Sequence, residues 1–131
     1  MKTLTKAEEQ IMQILWELKE AVVKDVVEKF DEPRPAYTTV ATVLKVLEKK
    51  GFAGSRKVGN VNIFLPAISK KEYTGYQFSS LLKNYFNGSF PKMATFFARQ
   101  NNLSIEELEE MLKITEQEII KEKEEKPWKR Y

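Results

Sequence analysis

The sequence predicts a mainly α fold with one small β-hairpin. Three observations carry that prediction. Apolar residues recur at three- and four-residue spacing through most of the 131 residues. Ser/Thr-x-x-Glu boxes at Thr5, Ser69 and Ser104 mark three helix starts. One stretch, "FAGSRKVGNVNIFLPA", breaks the helical rhythm with two β-prone runs around a Gly-Asn pair.

The elements follow in order. "LTKAEEQIMQILWELKE" opens with the box Thr5/Glu8, in which each side chain satisfies a backbone donor at the helix start. Ala7, Ile11, Ile14, Leu15 and Leu18 then form an apolar stripe, so a first helix is expected over 6–19, with Met12 and Trp16 as a second apolar line. "AVVKDVVEKF" repeats the pattern with Val23, Val26, Val27 and Phe30, as a short second helix without a Ser, Thr or Asp cap. "DEPRP" ends it, because two prolines in three residues forbid helix continuation. A third helix is expected over 37–50, with Val40, Val43, Leu44 and Leu47 inward and Gly51 ending it. The hairpin follows, where Val61, Ile63 and Leu65 alternate with Asn62 and Phe64. Three helices followed by a hairpin is the order of a winged helix-turn-helix.

The second half is helical and aromatic. A helix after Ser69 carries Tyr73, Tyr76, Phe78, Leu81, Leu82, Tyr85 and Phe86. "NGSFP" interrupts it at 87–91, and the short helix "KMATFFARQ" comes next. The last helix starts at the box Ser104/Glu107, with Leu103 and Leu108 placed as a hydrophobic staple, and Pro127 should stop it. The expected organisation is a winged helix-turn-helix domain at 1–72, a helical domain at 73–126 and a flexible tail at 127–131.

Composition narrows the function. The chain has no cysteine and no histidine, which removes disulfides, thiolate metal sites, Cys nucleophiles and imidazole acid–base chemistry. No Gly-rich phosphate loop is present. The expectation is a protein that is no enzyme and needs no metal and no cofactor. No apolar run approaches the roughly 18 residues that span a bilayer, so a cytoplasmic protein with no membrane insertion is expected. Within 45–71 there are seven basic residues (Lys45, Lys49, Lys50, Arg56, Lys57, Lys70 and Lys71) against the single acid Glu48. Such a patch suits a polyanion.

The third helix sharpens that reading. Its outer face near the N-terminus holds Tyr37, Thr38, Thr39, Ala41, Thr42 and Lys45. Threonine is a poor helix former. Its small size, however, lets a backbone approach a groove, its hydroxyl bonds a base edge or a phosphate, and its methyl packs on thymine. In helix-turn-helix proteins the N-terminal residues of the second helix meet the bases. Arg56 and Lys57 stand on the hairpin beside that helix, placed to neutralise phosphates. DNA binding is therefore expected at Tyr37, Thr38, Thr39, Ala41, Thr42, Lys45, Arg56 and Lys57. The competing classes are a winged helix that binds only protein and a regulator gated by a small molecule held among aromatics 73–97.

Dimerisation is expected from the helical half alone. It is too thin to bury Tyr76, Leu81, Leu82, Tyr85, Phe86, Phe90, Met93, Phe96, Phe97, Leu108 and Leu112, and a symmetric partner would supply the missing surface.

Four segments in order, "LTKAEEQIMQILW", "YTTVATVLKVLEKKGF", "RKVGNVNIFLPAISKKEY" and "GSFPKMATFF…LSIEELEEML", resemble the BlaI/MecI/CopY family of bacterial repressors, the penicillinase repressors. The resemblance spans about 4–115. It implies a homodimeric transcriptional repressor on a palindromic operator with a TACA/TGTA-type core. It assigns base-facing positions to Thr38, Thr39, Ala41 and Thr42. Some members carry arginine where this chain has Ala41. In the penicillinase branch, which regulates antibiotic resistance, a membrane sensor protease pathway leads to cleavage at an Asn-Phe bond. Alignment on "GSF" puts Phe96-Phe97 there, without the asparagine. The copper-responsive branch uses paired cysteines, which this chain lacks.

Overall fold

The computed structural model describes residues 3–125. The expected tail at 127–131, the end of the expected domain at 126 and the stop at Pro127 lie outside the described residues. The chain divides into two compact units, Met1–Ser80 and Leu81–Tyr131.

The first unit holds α1 (Lys6–Leu18), α2 (Val23–Glu28), α3 (Tyr37–Lys50), β1 (Ala53–Val58), β2 (Val61–Pro66) and the first part of α4 (Lys70–Phe86). The box at Thr5 forms as expected: the Glu8 N–H donates to Thr5 Oγ1 at 3.2 Å and the Thr5 N–H to Glu8 Oε1 at 2.8 Å. The N-cap of α2, Val22, makes no side-chain cap bond. Gly51, at φ 88°, ends α3 in the left-handed region where a Cβ would be strained.

The core is built on α3. Val40, Leu44 and Leu47 are fully buried, with Ile11, Met12 and Leu15 of α1, Val23 and Val26 of α2, and Phe52, Ala53 and Phe64 around them. Each of these side chains other than Ala53 contributes about 1.5–3 kcal/mol by leaving water. Val43, expected inward, is half-buried at the margin.

Two details depart from the sequence expectation. Ala7 is exposed, and Glu8 is buried beside it. The carboxylate tolerates burial because Thr5 N–H and Lys50 Nζ satisfy it, the latter at 2.7 Å. In β2 it is Phe64 that enters the core, while Val61 is exposed and Ile63 and Leu65 are half-buried. Its parity is fixed from outside the hairpin. Ala21 bridges Phe64 through paired backbone bonds of 2.9 and 2.8 Å, so a single bridge residue lies along the free edge of β2. The division between the two compact units falls inside α4, after Ser80. Tyr73 is only 4% exposed; its ring meets Phe52 edge-on at 5.8 Å and Trp16 at 5.7 Å. Tyr76 joins this cluster at 6.5 Å from Tyr73.

The second unit holds the end of α4, then α5 (Phe90–Gln100) and α6 (Ile105–Glu125). Asn87 and Gly88, at φ 57° and 77°, turn the chain, and Ser89 caps α5 through the Lys92 N–H. The box Ser104/Glu107 forms at the start of α6. Neither α5 nor α6 buries a single side chain fully. No helix among the described residues is long and apolar enough to cross a membrane.

Candidate nucleic-acid interface

The outer face of α3 is assembled by the same periodicity that builds the core. With Val40, Leu44 and Leu47 inward, Tyr37, Thr38, Thr39, Thr42 and Lys45 are all exposed. Ala41 is different: it is half-buried and leans on the core, so it offers at most one edge to a ligand. Thr42 Oγ1 donates to the Thr38 carbonyl one turn back at 2.9 Å. Its proton is thereby committed, while its lone pairs face outward as acceptors and its methyl remains available. A hydroxyl in that state accepts from adenine N6 or cytosine N4, and the methyl suits thymine.

The N-terminus of α3 is bare. Ala36 at the N-cap makes no side-chain bond, and the first turn contains no acid. Its first-turn backbone donors and positive dipole end therefore have no capping side chain and no acid of their own turn to meet. Arg34, just before it, is turned back to the Phe30 and Glu28 carbonyls, where it finishes α2.

The hairpin separates two residues that the sequence groups together. Residues paired across an antiparallel ladder share a face. The register pairs Ser55 with Phe64 and Lys57 with Asn62, and it pairs Arg56 with Ile63. Phe64 faces the core, and the Ser55 hydroxyl bonds Glu48 of α3. Lys57 and Asn62 thus continue the face that looks to α3. Arg56 lies on the opposite face and forks onto Glu20, with Nη1–Oε2 at 2.8 Å and Nη2–Oε1 at 3.1 Å. The hydrogen bonds and charge of Arg56 hold the Glu20 carboxyl below its ordinary pKa, and the same bonds raise the Arg56 pKa. Among the described residues Lys57 has no ion-pair partner. Sequence reasoning missed Glu20, Ser55 and Asn62. The parity of the hairpin was the signal, and it needed the Ala21–Phe64 bridge to set its phase.

The candidate interface therefore combines a small, polar, uncapped helix end with Lys57 on the hairpin face that looks to α3. Comparison with known proteins gives it a context. The family model described as penicillinase repressor matches residues 4–117. The chain belongs to the penicillinase repressor family. That makes it a DNA-binding transcriptional repressor. It is similar to the penicillinase repressor of Bacillus licheniformis, at 27% identity over 122 residues that cover 92% of this chain and 95% of that protein. It is also similar to the methicillin resistance regulatory protein MecI of Mammaliicoccus sciuri, at 23% identity over 112 residues, 85% of this chain and 91% of that protein. A solved structure of a Lactococcus lactis ZitR mutant aligns at 19% identity and a TM-score of 0.43, covering 92% of this chain and 76% of that one.

Proposed function

We propose that this repressor binds a palindromic operator as a homodimer, reading bases with the threonine face of α3 and seating the wing on phosphate through Lys57. The observation that carries the reading is the face itself. Thr38, Thr39 and Thr42 lie exposed at the uncapped, acid-free end of a helix whose other side is wholly core. Nothing in helix stability favours threonine there. Tyr37 and Lys45 flank the threonines and suit backbone contacts, and Ala41 allows close approach.

Dimerisation draws support from the second unit. Tyr85, Phe90, Phe96 and Phe97 are each more than half exposed, as are Ile105 and Leu112. Leu81 is also exposed, and Leu82, Phe86, Met93 and Leu108 are half-buried. A second copy would cover this surface, and a two-fold protein matches a two-fold site. Tyr76 already packs against Tyr73 in the first unit, which leaves it less surface to offer a partner.

The regulated genes are proposed to be resistance genes, as the names of the relatives indicate for those proteins. Release is proposed to follow cleavage at Phe96–Phe97 through a membrane sensor protease pathway. Both rings are about half exposed, at 52% and 51%, but the bond lies inside α5, so the helix must unwind locally before a protease can hold it extended.

Operator selection from random duplexes, followed by fluorescence anisotropy across salt, tests the central reading. Enrichment of an inverted repeat, with affinity falling steeply as salt rises, is the expected result. Equal binding to every duplex would sink it.

A further inference from the structure

The Glu20–Arg56 pair stands outside everything described so far as an interface. Glu20 follows Lys19, the α1 C-cap residue at φ 71°, and precedes Ala21, which is locked to Phe64 by two backbone bonds. It therefore projects from a fixed turn. Arg56 projects from β1 on the outer face of the sheet. Between them runs β2, so the ion pair crosses a whole strand and ties the α1–α2 turn to the far strand of the hairpin. The fork-to-fork geometry, two bonds at 2.8 and 3.1 Å, fixes angle as well as distance.

Its place along the hairpin matters most. Arg56–Ile63 is the last rung with a tie to the body of the first unit. The next rungs are Lys57–Asn62 and Val58–Val61, then the Gly59-Asn60 turn, and all of these residues are exposed. A two-stranded ribbon is marginal by itself and twists freely beyond its last anchor. Lys57 is the first residue past that anchor.

We propose that Glu20 and Arg56 are positioning residues of the DNA interface: the pair clamps the hairpin so that Lys57 and Asn62 are held on the side of α3, and Arg56 itself does not neutralise a phosphate. A phosphate would have to displace a carboxylate that already satisfies the guanidinium fork. It would also have to do so on the face turned away from α3. The inference rests on reading the hairpin as a DNA-facing wing.

The two roles of Arg56 predict opposite signs. Glu20→Gln removes a negative charge, so long-range electrostatics alone, or release of Arg56 to a phosphate, would strengthen binding and steepen its salt dependence. Loss of a clamp weakens operator binding instead, by roughly two- to fivefold for an exposed pair, with the salt slope unchanged. Anisotropy is read on the selected operator and a scrambled duplex for the wild type, Glu20→Gln, Arg56→Gln and the swap Glu20→Arg/Arg56→Glu. The clamp predicts that both single variants weaken operator binding to a similar degree and that the swap restores it. Amide shifts of Lys57, Asn60 and Asn62 in the free protein give a second readout that needs no DNA. They should move in both single variants and return in the swap. Tighter binding by Glu20→Gln, a salt slope lowered by about one unit in Arg56→Gln, or no change in either readout would each overturn the proposal. Absence of any sequence preference in the wild type, with the amide shifts behaving as described, would instead remove the wing reading and leave the clamp standing.

Discussion

At the scale of single residues, the interface turns on where protons and charges are already committed. Thr42 gives its proton to the Thr38 carbonyl, so in the proposed interface its hydroxyl is an acceptor and its methyl an apolar contact. These two roles come apart by substitution. Thr42→Val keeps the methyl and the β-branch and removes the acceptor. Thr42→Ala removes both. If the acceptor reads a base, both variants should lose discrimination at one position per half-site by about 1–3 kcal/mol. If the methyl reads thymine, Thr42→Val should stay close to wild type and Thr42→Ala should not. Anisotropy against single-substituted operators measures this, and uniform weakening on every duplex would make the threonine structural. Lys57→Ala is the contrast. It should weaken all duplexes alike and lower the salt slope by about one unit per bound site, because a phosphate contact releases counterions without reading sequence. Both side chains are exposed, so neither change should shift stability by more than about 0.5 kcal/mol.

At the scale of elements, the two ends of α3 differ: the N-terminal end is bare and the C-terminal end is tied to α1. Its C-terminal turn is pinned to α1 where Lys50 meets Glu8 at 2.7 Å. Burial on its own would raise the Glu8 pKa; the bonds from Lys50 and Thr5 outweigh it and leave the carboxyl below its ordinary 4.5. A carboxyl depressed by folding lends stability that is complete above its unfolded value and drains away as pH falls through the folded one. Lys50→Ala should therefore cost about 1–3 kcal/mol near neutral pH. The gap in Tm between this variant and the wild type should close as pH drops below 4.5. A gap that stays constant into acid would show that Lys50 acts through packing alone. The bounds of α3, 37–50, could be read from the chain because its signals are local: prolines before it, a glycine after it, apolar residues at helical spacing between them. Glu8 was hidden by the same logic, since a sequence pattern assigns a glutamate to water and its partner lies 42 residues away. The hairpin was visible from Gly-Asn, but which of its faces is buried was not. Val61, Ile63 and Leu65 form the more apolar run, and only the pairing of Ala21 with Phe64 reverses that reading. The threonine face was legible for the same reason as α3, whereas the separation of Arg56 from Lys57 followed the hairpin's hidden phase.

At the scale of the whole molecule, the two units differ in how they satisfy themselves. Every residue of the buried core, from Leu4 to Tyr73, belongs to the first unit. The chain cut after Ser80 therefore retains that core, including the ring of Tyr73 against Trp16 and Phe52. A cut before Tyr73 would remove a buried ring of the kind whose loss costs about 3–5 kcal/mol. The fragment 1–80 should consequently fold, melt cooperatively and give the full-length protein's amide shifts across α1 to β2, while a fragment ending at 72 should be far less stable. What 1–80 lacks is the exposed apolar surface of α5 and α6, so under the proposed dimerisation it should be monomeric by sedimentation velocity where the full chain should sediment as a dimer. Two linked reading heads bind a repeat with the second event made intramolecular, worth about 10²–10⁴ in affinity. The fragment should lose a factor of that order on the full operator. On a single half-site, where one head binds at a time, it should match the full chain. It should also lose about half the salt dependence, because half as many phosphates are met in one binding event. A fragment that dimerised, or that held the full operator as tightly as the intact chain, would place the partner surface in the first unit and take from α5 and α6 the role their exposed aromatics suggest.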